Sequence, residues 1–295
     1  MPIDLSPGAD RVLGRVALLP LADQGRVTLL HVIPDGLPVG EQRKAARDAD
    51  KVLLGHARHL RKQIRGSVSI ASSVKIGAAA KEIAASAAAT HADLIVMGRG
   101  GRRPLRDVFL GSTAERVVRQ AQRPVLVVRL PAREVYCRPL LALDVDQTAS
   151  DVVRLMVGVL PSPRPLVDVV HAFQIPYQGM MYPSLSEDEA DERKSELRAQ
   201  LSLALRQLLS EALAKAHVPP GEGPAFRTHV QHGPPRLVVE KAIKKADSDL
   251  LVLGTRAYSG IALMFLGTVA GELLRAAQCD VLVVPPRPVK SRRSG

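Results

Sequence analysis

The sequence predicts an α/β protein of two tandem doubly wound domains, each with a mostly parallel five-stranded sheet and helices on both faces. Two observations carry this prediction. Short apolar runs typical of buried strands alternate with segments of helical spacing along the 295 residues. The same succession of strands, glycines and helices occurs twice, and an internal repeat of this length indicates two copies of one fold unit.

The individual elements follow from the periodicity of apolar residues. In the first half we predict strands over 27–32, 68–74, 93–97 and 125–128, and helices over 40–64, 79–90 and 112–121. In the second half we predict strands over 138–143, 166–171, 226–231, 249–253 and 281–284, and helices over 148–159, 186–216, 235–246 and 268–277. The first strand of the first half is reduced to about residues 1–4, because the counterpart of Arg138 would precede Met1. The sequence leaves open whether the chain begins upstream or this half tolerates a short strand.

The repeat also sets the domain boundaries, which are 1–130 for domain 1, 137–286 for domain 2 and 287–295 for a basic tail. From the pair Gly77 and Gly233 onwards, the two halves match at a constant offset. Upstream, a smaller constant offset pairs His31 with His171. The difference between the offsets predicts an insertion in the second half, around residues 177–192.

A glycine pattern is the most specific part of the repeat. Its first copy is Gly98-Arg99-Gly100-Gly101 followed by Gly111-Ser112, and its second copy is Gly254-Thr255-Arg256-Ala257 followed by Gly267-Thr268. Each copy lies between a predicted buried strand and a predicted helix. Backbone N–H groups of such a loop and the positive end of the helix dipole favour phosphate, and the Ser or Thr adds a hydroxyl. The alternative is that these glycines serve only the tight turn and helix–strand packing.

Composition narrows the classes of function. The net charge of +12 indicates either a solvated arginine-rich surface or attraction for a polyanion. The basic stretches lack interleaved aromatic residues and nucleic-acid-binding signatures, so nucleic acid is an unfavoured partner. Two distant cysteines argue against a disulfide framework and a cysteine metal site. No signal peptide pattern and no apolar run of about 18 residues is present, so we expect a cytoplasmic protein with no membrane partner.

These features together resemble the universal stress protein family in its tandem two-domain form. The resemblance depends on the pattern Gly-x2-Gly-x9-Gly-Ser, on Asp4 and Ser6, on His31-Val32 and on the segment 124–128. It implies the doubly wound fold called adenine-nucleotide alpha-hydrolase-like. It also implies a site that holds adenosine through the Asp and the end of the second strand, and phosphates through the glycine loop and hydroxyl. The residues implicated in the first half are Asp4, Val32, Met97, Gly98, Gly101, Gly111, Ser112 and Thr113.

The second half departs from the family pattern at two positions. Ala257 stands in place of the second glycine, and Asp146 stands in place of Ser6. A methyl group at 257 would crowd a phosphate, and a carboxylate at 146 would repel it. The matching residues that remain are Asp144, Gly254, Gly267 and Thr268.

The resemblance implies a non-enzymatic sensor or adaptor of the stress response that binds ATP or another adenine nucleotide, with or without Mg²⁺. The loop has no P-loop lysine and no obvious general base, so any hydrolysis should be slow. The family's dimerisation through the last strand implies an intramolecular pseudo-dimer, with 125–128 near 281–284, and leaves a homodimer and a protein partner open. One alternative is an adenylating or ATP-pyrophosphatase enzyme, but the usual Ser-Gly-Gly-x-Asp-Ser and His-x-Gly-His motifs of such enzymes are missing from the sequence. The other alternative is a nucleic-acid-associated basic protein.

Overall fold

The computed structural model describes residues 1–6, 8–100, 112–145, 149–174, 187–255 and 267–286. The first half contains α1 (Ala9–Leu18), β1 (Arg26–Ile33), α2 (Val39–Gln63), β2 (Ser69–Ile76), α3 (Ala79–Ala89), β3 (Ile95–Gly98), α4 (Ser112–Gln120) and β4 (Val125–Val128). The second half contains β5 (Pro139–Ala142), α5 (Ala149–Val159), β6 (Val167–Phe173), α6 (Glu187–Lys215), β7 (Phe226–His232), α7 (Pro235–Ala246), β8 (Leu250–Gly254), α8 (Thr268–Ala276) and β9 (Asp280–Val284). The predicted alternation of strands and helices is confirmed, and α1 is an additional helix that the sequence analysis missed.

One seven-stranded sheet runs through both halves in the order β3-β4-β9-β8-β5-β6-β7. All of its pairs are parallel except β4 with β9, which is antiparallel and aligns Val125 with Val283. The predicted contact between the last strands of the two halves is therefore confirmed. Because these strands are buried on both faces, they read as continuous apolar runs in the sequence.

Helices cover both faces of the strands. One buried apolar cluster includes residues of α1, α2, α5 and α6, and a second includes residues of α3, α4, α7 and α8. Both clusters contain residues from both halves, so the halves share their core. None of the helices in the described ranges is long and apolar enough to cross a membrane.

The first half departs from the predicted five-stranded sheet. β1 and β2 form a separate two-stranded parallel sheet, while β3 and β4 belong to the seven-stranded sheet. The first strand, which should join β1 to β3, is represented by one bridge between Pro2 and Leu30. The short strand was predicted, but the division into two sheets was not.

Polar side chains buried between the halves hold them together. Asp280, which is fully buried, accepts hydrogen bonds from the backbone N–H groups of Arg129 (2.7 Å) and Leu130 (2.9 Å) and from the Tyr136 hydroxyl (2.8 Å). Arg15 of α1 places its Nε 3.2 Å from Asp280 Oδ2 and its guanidinium 4.0 Å from the centre of the Tyr136 ring. Burial, and next the charge of Asp280, raise the pKa of Tyr136 well above its ordinary value. The hydroxyl therefore stays protonated and remains a donor.

Two glycines at equivalent positions are required by the backbone. Gly77 follows β2 with a φ of 151°, and Gly233 follows β7 with a φ of 143°. Their N–H groups donate to the carbonyls of Ile33 and Phe173, which end the neighbouring strands. Because a residue with a side chain would be strained at these φ values, the two glycines serve the turn from strand to helix.

Candidate functional site

The carboxyl ends of the parallel strands bring most of the predicted residues of the first half to one edge. Asp4 is exposed there, and its Oδ1 accepts hydrogen bonds from the N–H (3.1 Å) and the hydroxyl (2.7 Å) of Ser6. The Ser6 hydroxyl accepts in turn from the N–H of Gly8, at the start of α1. Leu5, between them, has a φ of 56°, which is uncommon for a residue with a side chain. The Asp-x-Ser element thus forms a tight turn that leads into α1.

A histidine fixes the strand end on which each aspartate lies. Nδ1 of His31 in β1 lies 2.7 Å from the carbonyl oxygen of Ile3, and Nδ1 of His171 in β6 lies 3.0 Å from that of Leu143. Because a carbonyl only accepts, Nδ1 carries the hydrogen in both rings. One ring nitrogen of each recurring histidine is thus satisfied within the fold. Each ring orients the residue directly before Asp4 or Asp144.

The glycine loop of the first half begins at the end of β3. Gly98 lies at the edge, and a Cβ there would be 3.4 Å from Cγ2 of Val12, at the limit of ordinary contact. Gly100 has a φ of 69°, so its backbone favours glycine. Met97 is buried in the apolar core, which leaves only its backbone for a ligand. Gly101 and Gly111 lie outside the described residues.

Val32 and the start of α4 complete the predicted set for the first half. Val32 is half-buried near the end of β1 and packs against the apolar core. Ser112 begins α4, and Thr113 follows it with a half-buried side chain. The strand end and the helix start are therefore formed as predicted, although the middle of the loop is outside the described residues.

The second half presents the equivalent arrangement. Asp144 follows β5, and its Oδ1 accepts from the N–H of Val145 (2.9 Å) and lies 3.8 Å from His171 Nδ1. Gly254 ends β8, and the next residue, the buried Thr255, donates its N–H to the carbonyl of Val284. Thr268 begins α8 and is exposed. Asp146 and Ala257, the two departures from the family pattern, lie outside the described residues.

Gly267, the N-cap of α8, bears on whether the glycines of the pattern serve a ligand or only the geometry of the fold. Its φ of −54° and ψ of 154° are open to any residue, and a Cβ there would meet nothing within 4 Å. Among the residues that the structure describes, no side chain caps the first N–H groups of α8. Unlike Gly77 and Gly233, this glycine is therefore required by neither the backbone nor the described packing. The space at its Cβ position is open, which lets an anion approach the start of the helix closely.

A cluster that looks catalytic lies elsewhere. Asp168 of β6 accepts hydrogen bonds from Arg227 Nε (2.6 Å) and Nη2 (2.7 Å), and His229 Nε2 lies 2.6 Å from Asp168 Oδ1. Asp168 and Arg227 are in register near the amino ends of β6 and β7, away from the glycine loops. The cluster therefore joins two strands and does not belong to the candidate site.

The hydrogen bonds from Arg227, with those from His229, lower the pKa of Asp168 below its ordinary value of 3.8. The ionised carboxylate therefore stabilises the fold fully above that value, and its contribution is lost as the pH falls through the lowered pKa. We expect Asp168→Asn to lower the free energy of unfolding at pH 7. In acid, where the wild-type carboxylate becomes protonated, the variant and the wild type should differ less in their free energy of unfolding. Urea titrations at several pH values measure this difference; a constant difference down to the acid limit would contradict the expectation.

Neither cysteine offers a nucleophile. Burial raises the pKa of the Cys279 thiol to about 12, and desolvation also raises the pKa of Cys137. Both thiols are therefore protonated near neutral pH. Within the described residues, no group of three or more His, Cys, Asp or Glu side chains could hold a metal ion.

Comparison with known proteins gives the family. A profile of the universal stress protein family matches residues 1–129 and 140–285. Universal stress protein Sll1388 of Synechocystis sp. is 26% identical over 161 residues, which cover 50% of this chain and 97% of that protein. Universal stress protein MJ0531 of Methanocaldococcus jannaschii is 46% identical over 67 residues, which cover 23% of this chain and 39% of that protein.

A solved structure shows the same fold over the whole length. The universal stress protein from Archaeoglobus fulgidus DSM 4304 superposes with a TM-score of 0.67 and 16% sequence identity, covering 97% of both chains. At this identity the likeness concerns the fold.

Proposed function

Because the chain belongs to the universal stress protein family, in a tandem two-domain form, we propose that it binds an adenine nucleotide at the carboxyl edge of each half and acts as a sensor or adaptor in the stress response. The single observation that carries the proposal is the start of α8. There, Gly267 is required by neither the backbone nor the described packing, and a Cβ at this position would meet nothing within 4 Å. Phosphate is the ligand chemistry that such a helix start favours.

The roles of the other residues follow from their places along the edge. The N-terminal ends of α4 and α8, with Ser112 and Thr268, would hold the phosphates. Asp4 and Asp144 lie after the first strand of each half, where a carboxylate can accept hydrogen bonds from ribose hydroxyls. Val32 would contact the base. Mg²⁺ bound to the phosphates would need only one or two carboxylates, so it fits this set without a dedicated metal cage.

We expect the proposed sites to bind ATP without hydrolysing it rapidly. The loop sequence 98–113 contains no lysine, and the Asp168 cluster lies away from the glycine loops. The loop therefore lacks the lysine that contacts the β- and γ-phosphates in P-loop enzymes. We expect purified protein to convert ATP to ADP far below the ~10 s⁻¹ typical of enzymes. Turnover at an ordinary enzymatic rate, measured by ADP release, would contradict this assignment.

Mass spectrometry identifies the ligand directly. Protein is purified without added nucleotide and denatured, and the released small molecules are identified. We expect an adenine nucleotide, or else saturable binding of ATP or ADP by calorimetry where the protein elutes empty. Absence of both, in protein whose circular dichroism shows the α/β fold, would overturn the proposal.

A further inference from the structure

A groove of about 530 Å³ lies between the C-terminal half of α6 and β7, the last strand of the seven-stranded sheet. Its apolar lining consists of Leu209, which is buried, and of Leu213 and Phe226, which are half-buried. The exposed Arg206 and Ser210 of α6 line it as well. The groove therefore combines an apolar surface with polar groups that solvent reaches.

The backbone of β7 directs half of its hydrogen-bonding groups away from the sheet. At the start of the strand, the carbonyl of Ala225 accepts a hydrogen bond from the N–H of Val167, and at its end the N–H of Gly233 donates to Phe173. The odd-numbered residues of this stretch therefore face β6, and the N–H and C=O groups of the even-numbered residues point outwards. In the part of the chain that the structure describes, no strand pairs with that outward side.

The groove lies beside these outward backbone groups. Phe226 and Val230, two of the even-numbered residues, belong to the apolar cluster that includes α6, and Phe226 and Thr228 line the groove. Because side chains alternate along a strand, a strand added to β7 would direct every second side chain into the groove. β7 contains neither proline nor lysine, the residues that commonly protect exposed edges, so its edge is a template for a further strand.

Arg206 indicates which side chain the groove accepts. It is exposed, and no hydrogen bond or ion pair engages it among the described residues. The other arginine that lines the groove, Arg227, is bound to Asp168 through two hydrogen bonds. Arg206 is thus free to form a bidentate, charge-assisted pair with a carboxylate that enters the groove.

The repeat shows that this charge is a property of the second half. The offset that relates the halves from Gly77 onwards pairs the buried Leu53 of α2 with the buried Leu209 of α6. By the same offset, Asp50 corresponds to Arg206. A carboxylate at position 50 repels an acidic ligand, so only the edge of the second half favours one.

We propose that the outer edge of β7 binds an extended segment of another protein as an added strand, with an acidic side chain opposite Arg206 and apolar side chains beside it in the groove. β7 has seven residues, so the bound segment is of about the same length. A small carboxylate would use Arg206 alone, and an apolar ligand would use the groove alone. An acidic strand uses the backbone edge, the apolar lining and the arginine together.

A synthetic peptide of the sequence Thr-Leu-Thr-Glu-Thr-Leu-Thr, capped at both ends and carrying a fluorophore, tests the proposal. Its Leu, Glu and Leu side chains lie on one face of an extended chain. Titration with the full-length protein, followed by fluorescence anisotropy, should show saturable binding at micromolar concentrations. Replacing its Glu by Gln, or methylating alternate backbone nitrogens, should each weaken binding by about tenfold or more.

Variants of exposed residues locate the binding without disturbing the core. Arg206→Asp, which introduces the residue found at the equivalent position of the first half, should lose the Glu peptide and gain binding of the same peptide with Lys in place of Glu. Ser210→Trp should weaken both peptides by filling the groove. Lys241→Asp makes the same change of charge on α7, which belongs to the other apolar cluster, and should leave binding unchanged. Unchanged thermal midpoints establish that the variants are folded.

Three results would overturn the proposal: no binding of the Glu peptide to the wild type, equal binding of the N-methylated peptide, or equal binding to Arg206→Asp. Light scattering of the free protein adds a fourth, since self-association that Arg206→Asp abolishes would assign the edge to a second copy of the chain. The groove lies at the amino end of β7, away from the glycine loops. ATP titration of the same samples therefore succeeds or fails independently.

Discussion

Replacing Asp280 by asparagine should lower the free energy of unfolding by about 3–5 kcal/mol, the cost of leaving a buried charge without its partner. The carboxylate is fully buried and faces Arg15, whose side chain is 4% exposed. It also accepts from two backbone N–H groups and from Tyr136. An amide removes the negative charge while keeping the shape, so Arg15 would remain buried and uncompensated. Because Arg15 belongs to the first half and Asp280 to the second, the loss should weaken the docking of the halves.

A matched control is available in the same half. Asp247 also pairs with an arginine, Arg138, at 3.5 Å, but its side chain is 91% exposed. Asparagine tolerates the left-handed backbone of this residue, whose φ is 47°, so Asp247→Asn changes only a surface charge. We expect a change within about 1 kcal/mol, as for other exposed pairs. Equal losses for the two variants in urea titrations would show that the Asp280 cluster does not hold the halves together.

Asp249→Ala should cost about 2–3 kcal/mol, because it leaves the N–H groups of Cys137 and Arg138 without their acceptor. Asp249 is buried, and these hydrogen bonds fix the chain where it enters β5, the central strand of its half. The loss should appear in both the thermal midpoint and the urea midpoint.

The repeat supplies the control for this prediction. Asp93 occupies the equivalent position before β3, but it has no hydrogen-bond partner among the described residues and is exposed. Asp93→Ala should therefore leave the free energy of unfolding within about 0.5 kcal/mol of the wild type. If both substitutions destabilise the protein equally, the role of Asp249 as a cap of the entering strand is wrong.

Much of the fold could be predicted because its strands carry strong local signals. Apolar runs such as 125–128 and 281–284 mark buried strands, and the family resemblance implied that these two strands lie near each other. Their antiparallel direction comes from the structure alone. The helix α1 was missed, although its apolar residues Val12, Leu13 and Val16 have helical spacing and the repeat pairs it with α5. Applying the second-half pattern to residues 9–18 would have found it.

The buried Asp280 cluster could not be predicted from one sequence. Its members come from a helix of the first half, the linker and a strand start of the second half, and the repeat gives them no equivalents: Asp280 corresponds to Pro124, and Arg15 to Leu155. Contacts between such distant residues depend on how the halves dock. The strand ends and helix starts on which the candidate residues lie could be predicted, because local spacing determines their positions.

The central claim is that main-chain N–H groups at the glycine-bearing helix starts hold a nucleotide. Calorimetric titration of ATP into the wild type and into the double variant Gly111→Val/Gly267→Val tests it most directly. A side chain at 267 enters open space, so Gly267→Val alone should keep the wild-type thermal midpoint. Gly233→Ala, by contrast, strains the backbone and should lower the thermal midpoint. We predict that the folded double variant binds ATP at least tenfold more weakly than the wild type. Wild-type affinity in that variant would contradict the account.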